Sequence, residues 1–238
     1  MKIKLEVGLN VTEPLGITHY EKPIPACLGG LVRGSFPSHL ISKTDEERIQ
    51  NIPRVIEELQ GVEVYSTVKC DGTSATYINY NNDFQVCSRN NSMKLDGNNV
   101  YLTMAKKYDI MGVLKGLNIA IQGEICGPGI QKNRLGLKEV DLFIFNVWDI
   151  EKRKYFNGRE LKNICTMMGL KTVPFNCPFT FNHTIEQLLE MAKGLYPETK
   201  NRREGIVIRP VEEMYSKTLK GRMSFKVLNN EYLLEHGE

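Results

Sequence analysis

The sequence predicts an α+β fold with antiparallel sheets, and three features of the chain lead to that prediction. Strand-like runs follow one another in pairs and hairpins and do not alternate strictly with helices. The 238 residues are 41% hydrophobic and 25% charged, which is typical of a folded protein with a substantial core. No internal repeat or low-complexity linker interrupts the chain. These features favour an α+β domain over a doubly wound parallel sheet.

Helix signals occur in four segments. The residues Thr-Asp-Glu-Glu at 44–47 resemble a capping box and predict a helix that Pro53 interrupts. Gly169 is suited to a left-handed cap and predicts the end of a helix over residues 158–168. The four predicted segments are residues 44–61, 98–117 and 158–168, and a segment that begins with a second capping box at 184–187 and closes at Gly194.

Apolar and β-branched runs predict seven strands between these helices. Residues 81–83 are typical of a hairpin turn that joins the second and third strands. The predicted strands are residues 62–69, 74–80, 84–88, 119–125, 140–150, 205–209 and 224–228. We assign residues 30–238 to one domain and residues 1–29 to an extended, Pro/Gly-rich lead-in.

Composition excludes several classes of protein. No apolar run approaches the roughly 20 residues that span a membrane, and Glu6 interrupts the stretch where a secretory signal would be apolar. The six cysteines include no Cys-x-x-Cys pair, which indicates reduced thiols. Cys165, Cys177 and His183 are too loosely spaced to indicate zinc. We therefore expect a cytoplasmic, intracellular protein, which includes a virus-encoded protein that acts in its host cell.

The charge is unevenly distributed along the chain. A net charge of +3 is too small to establish a nucleic-acid partner. Residues 199–226, however, contain eight basic residues against three acidic ones, a local excess of five. Such a run is most often a solvated face, and it is also what a phosphate-rich ligand requires.

The stretch Ser-Thr-Val-Lys-Cys-Asp-Gly-Thr at residues 66–73 follows a predicted strand. Asp-Gly favours a tight hairpin turn, in which case Lys69 is an ordinary surface cation. Alternatively, Lys69 is a nucleophile and Asp71 lies on the same side, because side chains alternate along an extended chain. The tetrapeptide alone does not decide between the two interpretations.

Later strands also end in charged or glycine-rich sequence. A lone glutamate in a strand is usually at an edge or in a salt bridge, a lone arginine is usually solvated, and an aromatic strand is usually core. Five such features in fixed order after Lys69 favour a functional site. They are Arg89 in 86–90, Glu124 before a Gly-Pro-Gly turn in 121–133, the aromatic strand 142–150, Glu204 in 204–210 and Lys226 in 224–229.

These motifs resemble the signatures of the covalent nucleotidyltransferases, the superfamily of polynucleotide ligases and mRNA capping enzymes. The five matching elements, in chain order, are residues 69–72, 88–90, 145–147, 204–207 and 225–227. Residues 124–132 are similar to a segment characteristic of RNA ligases. Residues 35–51 and 12–23 resemble RNA ligases of family 5. The resemblance covers nearly the whole chain and implies the nucleotidyltransferase (adenylylation) fold around a nucleotide pocket.

The sequence departs from the family pattern at several positions. Leu228 stands where many relatives have a lysine, and Asn146 stands where many have an aspartate. Trp148-Asp149 offers a shifted register for the third signature, in competition with Phe145. Relatives carry an OB-fold domain before or after this region, for which the chain leaves no room. The expectation is a minimal ligase or the catalytic domain of a longer protein.

The resemblance implies an ATP-dependent RNA ligase that uses Mg²⁺ or Mn²⁺. Lys69 would attack the α-phosphate of ATP and form lysyl-AMP, and AMP would pass to a 5′-phosphate end. A 3′-hydroxyl would then displace AMP and seal the strand. The implied partner is RNA, including a nicked duplex with an RNA 3′-OH strand, and the protein would act as a monomer. A DNA ligase, a capping enzyme and a catalytically silent nucleic-acid-binding domain remain alternatives.

The resemblance also implies a role for each site residue. An uncharged amine is needed for attack on phosphorus, so the site must lower the pKa of Lys69. By this resemblance, Asp71, Glu124 and Glu204 hold the waters around the metal ion, and Glu124 alternatively binds the ribose. Phe145 and Val207 sandwich adenine, and the backbone of Thr67 and Val68 reads its edge. Arg89 and Lys226 face phosphate.

Overall fold

The computed structural model describes residues 9–10, 12, 15–17 and 30–236. The chain divides into two units, residues 1–30 and residues 31–238. In the first unit the Ile17 amide donates to the Thr12 carbonyl at 2.8 Å and closes a turn. The predicted lead-in over residues 1–29, and the family-5 similarity over 12–23, lie largely outside the described residues. The predicted domain division therefore stays a prediction.

Within the second unit, six α-helices and fifteen strands are described. The helices are α1 (Val55–Leu59), α2 (Val100–Lys107), α3 (Ile110–Val113), α4 (Gly158–Met167), α5 (Ile185–Ala192) and α6 (Asn230–His236). The strands are β1 (Val32–Ser35), β2 (Glu47–Arg48), β3 (Glu63–Lys69), β4 (Thr73–Tyr80), β5 (Asp83–Ser88), β6 (Asn91–Met93), β7 (Ile119–Cys126), β8 (Asp141–Asp149), β9 (Lys154–Tyr155), β10 (Lys171–Thr172), β11 (Phe179–Thr180), β12 (Gly205–Pro210), β13 (Tyr215–Ser216), β14 (Gly221–Arg222) and β15 (Phe225–Leu228).

The strands form two large sheets and one hairpin. The eight-stranded sheet has the order β1-β6-β5-β4-β7-β8-β10, with β9 paired to β8. The five-stranded sheet has the order β11-β3-β12-β15-β2, and β13 pairs with β14. Most neighbours are antiparallel, and the described parallel pairs are β8 with β10 and β2 with β15. The predicted α+β fold with antiparallel sheets is confirmed.

Each large sheet packs helices against one of its faces. Helices α2, α3 and α4 bury side chains such as Leu102, Ile110 and Leu161 on the eight-stranded sheet. Helices α1 and α5 bury Leu59 and Leu188 on the five-stranded sheet. Period-2 alternation sends successive side chains to opposite faces, and the second face of the eight-stranded sheet carries a smaller apolar cluster that includes Ile78, Cys87 and Ala120.

The predicted strands are confirmed, but one predicted helix start is wrong. The segment 44–47 does not cap a helix, because Glu47–Arg48 is strand β2 and pairs in parallel with β15. The Thr44 hydroxyl instead lies 2.6 Å from the Ser74 hydroxyl. Long-range strand pairing has overridden a local capping signal here. Helix α1 still ends before Gly61, as predicted.

The other helix predictions hold with one change. Residues 98–117 form two helices, because Asp109 adopts a left-handed conformation (φ 43°) and accepts a hydrogen bond from the Gly112 amide. Helix α4 is followed by Gly169 at φ 65°, as its capping role requires. Helix α5 begins with the predicted capping box of Thr184 and Gln187. No helix in the described part of the chain is both long enough and apolar enough to cross a membrane.

Candidate active site

The register of the five-stranded sheet places a row of functional side chains on one face. Val207 on β12 lies opposite Thr67 on β3 and opposite Lys226 on β15. Lys226 in turn lies opposite Arg48 on β2. Cross-strand partners point to the same side, and Lys69 is two residues after Thr67 on β3. Lys69, Lys226 and Arg48 therefore share the face that carries Thr67 and Val207.

The segment from Lys69 to Gly72 crosses from one sheet to the other and is not a hairpin turn. Strand β3 before it belongs to the five-stranded sheet, and β4 after it belongs to the eight-stranded sheet. Gly72 is required by close approach, since a Cβ there would lie 2.3 Å from the Ile125 carbonyl oxygen. The hairpin interpretation of Asp-Gly is therefore wrong, and the functional interpretation of Lys69 gains a structural basis.

Lys69 makes an ion pair with Glu204, the residue before β12. Its Nζ lies 2.7 Å from the Glu204 carboxylate, and the two side chains are 27% and 14% exposed. Burial alone lowers the pKa of Lys69, but the carboxylates of Glu204, Glu124 and Asp71 outweigh burial and raise it above its ordinary value. The protein's own groups therefore hold Lys69 as a cation, which is the opposite of the direction that nucleophilic attack requires.

Glu124 reaches the same place from strand β7 of the eight-stranded sheet. Burial raises the pKa of this carboxyl to about 7, against the opposing effect of Lys69, and the nearby Glu204 and Asp71 raise it further. Glu204 and Glu124 thus place two carboxylates beside the single ammonium of Lys69. Such a concentration of acidic groups favours an additional cation.

A narrow cavity, which we call the nucleotide cavity, opens between the two sheets beside Lys69. It encloses about 70 Å³, a size suited to the edge of a planar ring. Phe145 contributes from β8 and Val207 from β12, so the two sheets supply facing apolar walls. Trp148, the alternative to Phe145, does not line it. The lining residues are Thr44, Glu46, Thr67, Val68, Lys69, Cys70, Glu124, Phe145, Val173, Val207 and Arg209.

Arg209 and Glu46 line the nucleotide cavity as an ion pair, and the sequence motifs predict no role for either. Arg209 is 2% exposed and donates to Glu46 Oε1 at 2.9 Å. It also donates to the Phe145 carbonyl at 3.1 Å and to the Ser224 hydroxyl at 2.9 Å. This arginine therefore fixes the backbone of an aromatic wall. Glu46 lies in the segment 44–47, whose resemblance to a capping box predicts a helix start and not a site residue.

Asp71 is engaged by groups that lie far away in the sequence. Its carboxylate accepts hydrogen bonds from Arg134, in a buried ion pair, and from the Tyr232 hydroxyl at 3.1 Å. Arg134 also donates to the Tyr232 hydroxyl at 2.6 Å. Asp71 does not line the nucleotide cavity, although it acts electrostatically on Lys69. The geometry makes Asp71 an anchor of the Lys69 segment, and its predicted role at a metal ion stays a prediction.

Arg89 is a predicted site residue that lies outside the nucleotide cavity. It is exposed and forms an ion pair with Asp45. Its predicted contact with phosphate stays a prediction.

Lys226 and Arg48 form the positive end of the site. The pKa of Lys226 is lowered by burial and then by the like charges of Lys69 and Arg48. Three cations close enough to repel one another are stabilised when a polyanion lies among them. No sequence motif points to Arg48, which reaches the site through the parallel pairing of β2 with β15.

Much of the basic run in residues 199–226 has structural partners. Arg202 pairs with Glu231, and Arg222 pairs with Glu213. Arg203 donates to three carbonyls at the end of α5, including Ala192 at 3.1 Å. Together with Arg209, these arginines stabilise the fold. The local excess of positive charge is therefore a poor measure of the phosphate-binding surface.

Within the described ranges, no three His, Cys, Asp or Glu side chains come together as a metal-binding group. The carboxylates that offer hard oxygen ligands to a divalent ion are Glu204 and Glu124, both beside Lys69. The ammonium of Lys69 already occupies one cation position on Glu204. The carboxylate oxygens of Glu204 and Glu124 are ligands of the kind that Mg²⁺ and Mn²⁺ prefer.

Comparisons with known proteins agree with this geometry. A family model described as RNA ligase matches residues 62–228. Three similar solved structures are of Naegleria gruberi RNA ligase: a lysine-to-alanine mutant with ATP and Mn at 37% identity, the protein with PPi at 36%, and a lysine-to-methionine mutant with AMP and Mn at 36%. Each has a TM-score of 0.80, and the match covers 98% of this chain and 68% of the relative. A comparison with curated protein sequences found no match.

The fold and the lysine-centred cleft define a nucleotidyltransferase of the class that forms a covalent lysine–nucleotide intermediate. The match over most of the chain decides the group within that class. The chain belongs to the RNA ligase family.

Proposed function

We propose that the chain seals RNA ends in three steps, with ATP as the source of the adenylyl group. The neutral Lys69 amine attacks the α-phosphorus of ATP, a P–N bond forms, and the bond to pyrophosphate breaks. A 5′-phosphate oxygen then attacks the same phosphorus and releases Lys69. Finally a 3′-hydroxyl attacks the 5′-phosphorus and AMP leaves with the bonding electron pair. The covalent intermediate divides one difficult condensation into steps that each have a good leaving group.

One arrangement supports this proposal above all others. The Lys69 ammonium contacts Glu204 at 2.7 Å and lines a narrow cavity whose walls include Phe145 and Val207 from opposite sheets. If the adenine base of ATP lies between those two side chains, the α-phosphate of the same nucleotide points toward Lys69. Contact of this kind converts a bimolecular reaction into one between prepositioned groups.

The protonation of Lys69 sets the requirement for a divalent cation. The carboxylates of Glu204, Glu124 and Asp71 raise the pKa of Lys69, so an amine paired with Glu204 is a poor nucleophile. A bound Mg²⁺ or Mn²⁺ supplies positive charge that neutralises these carboxylates and shields the phosphates. Glu204 and Glu124 would hold the ion, and Lys69 would lose its proton to solvent once Glu204 is engaged elsewhere.

Both sheets contribute to base recognition, whereas the phosphate contacts come from the five-stranded sheet. Phe145 and Val207 sandwich adenine, while backbone groups of Thr67 and Val68 lie along the same cavity and read its edge. Lys226 and Arg48 neutralise the departing pyrophosphate, since the mutual repulsion of these cations with Lys69 is relieved by phosphate. Glu124 serves alternatively as a ribose ligand.

Labelling with radioactive ATP and GTP in separate reactions tests the first step. We expect label from α-labelled ATP to remain on the wild-type chain and to be absent from Lys69→Ala. Lys152→Ala, at a surface lysine, is the matched control and keeps the label. Label from GTP in place of ATP would indicate a capping-type enzyme. RNA binding without any label would indicate a silent binding domain.

Sealing of matched nicks tests the choice of substrate. Duplexes that differ only in RNA or DNA on each side of one nick report which sugar each side requires. We expect sealing to require RNA at the 3′-hydroxyl side, with the chain acting as a monomer. Equal sealing of all-DNA nicks would contradict the proposed RNA specificity.

A further inference from the structure

A second, larger cavity lies next to the nucleotide cavity, and we call it the side cavity. It has a volume of about 610 Å³, which is within the range of ligand-binding sites. Thr44 and Glu46 line both cavities, so a molecule in the side cavity would lie beside the bound adenosine nucleotide. The reaction proposed above brings RNA to that position, because the 5′-phosphate end and the 3′-hydroxyl end must both reach the adenylyl group.

Aromatic side chains line the side cavity on two walls. Trp148 of β8 and Tyr155 of β9 are cross-strand neighbours with ring centroids 4.5 Å apart. Tyr215 of β13 contributes from the hairpin and is 65% exposed. An exposed tyrosine that lines a cavity is not explained by core packing. Base stacking on such rings is the main sequence-tolerant interaction by which proteins hold single strands of nucleic acid.

The aromatic wall is held rigid before any ligand binds. The Trp148 indole donates to the Leu40 carbonyl at 3.0 Å, which fixes the ring. The Arg222 guanidinium lies over the Tyr155 ring at 4.0 Å and donates to Glu213 Oε2 at 2.8 Å and to Asn146 Oδ1 at 2.7 Å. A fixed platform stacks on a base at a lower entropic cost than a mobile one.

The charges around the side cavity favour a phosphodiester chain. Most of its acidic residues are already neutralised: Asp45 pairs with Arg89, Glu46 with Arg209, and Glu213 with Arg222. Its other basic residues are Lys43, Arg153 and Lys154, of which Lys43 donates to the neutral Asn90 side chain. Arg153 and Lys154 form no ion pair with any residue that the structure describes. Three cations thus outnumber the one remaining acid, Glu47.

We propose that the side cavity binds a nucleotide of the RNA strand next to the end being joined. Its base stacks on the rings of Trp148 and Tyr215, while Tyr155, which lies under Arg222, supports Trp148 from the side. Its phosphates lie at the basic residues Arg153 and Lys154. This inference rests on the proposed function, because it takes RNA as the substrate. It also gives a function to Trp148, which the sequence singled out but the nucleotide cavity does not use.

Fluorescence provides a direct test, because Trp148 is the only tryptophan among the 238 residues. We expect a short single-stranded RNA to quench Trp148 emission in a saturable way, as stacking on the indole does. ATP alone should leave most of the emission intact, since Trp148 does not line the nucleotide cavity. Quenching by ATP and not by RNA would assign the side cavity to the nucleotide and overturn the inference.

Two variants at an exposed position separate this inference from the proposed function. Tyr215→Ala removes a ring and should weaken RNA binding by about fivefold or more, as loss of one stacked base predicts. Tyr215→Phe keeps the ring and should bind RNA as the wild type does. Binding is measured by the anisotropy of a labelled RNA. Equal affinity of the two variants, with no RNA-induced quenching, would overturn the inference.

Adenylylation with ATP alone keeps the two questions distinct. A wild-type chain that takes label from ATP but shows no RNA effect at Trp148 or Tyr215 retains the proposed function and refutes the side-cavity site. A chain that takes no label refutes the proposed function, whatever the RNA measurements show.

Discussion

At the scale of single residues, the pKa of Lys69 is governed by three nearby carboxylates, of which Asp71 is also paired with Arg134. Lys69 is paired with Glu204 and lies within electrostatic reach of Glu124 and Asp71. The three carboxylates raise the pKa of Lys69 despite its burial, and burial, with help from Glu204 and Asp71, raises the pKa of Glu124 to about 7. Both groups therefore tend to hold a proton until positive charge enters the cleft.

Replacement of Glu204 by glutamine should lower the pKa of Lys69 and still reduce adenylylation. Loss of the carboxylate removes the chief interaction that raises the pKa of Lys69. The variant also loses a charged ligand for the divalent metal ion, and this loss should lower the rate of label incorporation by about 10- to 100-fold. The pKa is measured from the pH dependence of Lys69 modification by an amine-directed reagent, read by mass spectrometry.

Glu190→Gln is the matched control for that experiment, since Glu190 pairs with Lys193 on the surface. It should leave both the modification profile of Lys69 and the rate of adenylylation at wild-type values. A Lys69 profile that is the same in Glu204→Gln and the wild type would show that the ion pair does not control the amine.

The raised pKa of Glu124 predicts a pH dependence of stability. Between its ordinary value of 4.5 and about 7, the folded protein keeps a proton that the unfolded chain releases. The free energy of unfolding should therefore fall as pH rises through this range, by about 3 kcal/mol in total. Glu124→Gln keeps the shape of the neutral form and should remove most of that fall.

Urea unfolding at a series of pH values, with a chelator present, measures this effect. Glu63→Gln, at the exposed start of β3, is the control and should keep the wild-type pH dependence. If Glu124→Gln shows the same fall as the wild type, Glu124 does not titrate in the predicted way.

At the scale of elements, the crossing from β3 to β4 holds the nucleophile in place. Gly72 packs against the backbone of β7, where a Cβ would meet the Ile125 carbonyl oxygen at 2.3 Å. Gly72→Ala must therefore displace the segment that carries Lys69 and Asp71. We expect a loss of about 2 kcal/mol or more in unfolding free energy, together with slower adenylylation.

Gly34→Ala in β1 is the comparison variant for Gly72→Ala. A Cβ at Gly34 meets nothing within 4 Å, so its cost should stay below about 0.5 kcal/mol. Calorimetry or urea unfolding distinguishes the two. Equal stabilities for both variants would show that Gly72 is not closely packed.

Helix α6 anchors the same segment from the other end of the chain. The Tyr232 hydroxyl donates to Asp71 at 3.1 Å and accepts from Arg134 at 2.6 Å. Tyr232→Phe removes both bonds from a buried site and should cost about 1–2 kcal/mol. Adenylylation should slow as well, because Asp71 loses a partner that fixes its position.

Tyr80→Phe is the control for Tyr232→Phe, since the Tyr80 hydroxyl makes no hydrogen bond to the described residues. It should change neither stability nor adenylylation measurably. A Tyr232→Phe variant with wild-type stability would show that α6 does not support the site.

Predictability also differs between local and long-range features. The strands were predicted because their apolar runs are continuous, and α4 and α5 because their caps are local in sequence. The predicted helix start at Thr44 is wrong, because β2 pairs with β15 and this pairing joins segments about 180 residues apart. The partners of Asp71, at Arg134 and Tyr232, could not be predicted for the same reason.

At the scale of the whole molecule, the catalytic groups come from two sheets that each pack helices on the far face. The motifs single out Lys69, Glu124, Phe145, Glu204, Val207 and Lys226, which lie in strands or next to one and which the two sheets bring close together. Their roles in the reaction stay predictions. The motifs do not predict Arg48, Arg209 or the side cavity. The positions of these features depend on how the two sheets and the β13–β14 hairpin are placed in three dimensions. Arg89, by contrast, matched a motif but lies outside the nucleotide cavity.

Mapping of the covalent adduct is the decisive measurement for Lys69 as the nucleophile. The wild-type chain is incubated with ATP and Mg²⁺, digested, and analysed by mass spectrometry for peptides that carry AMP. We expect AMP on Lys69 and on no other lysine, with loss of the adduct in Lys69→Ala. An adduct on a different residue, or one that persists in Lys69→Ala, would show that Lys69 is not the nucleophile.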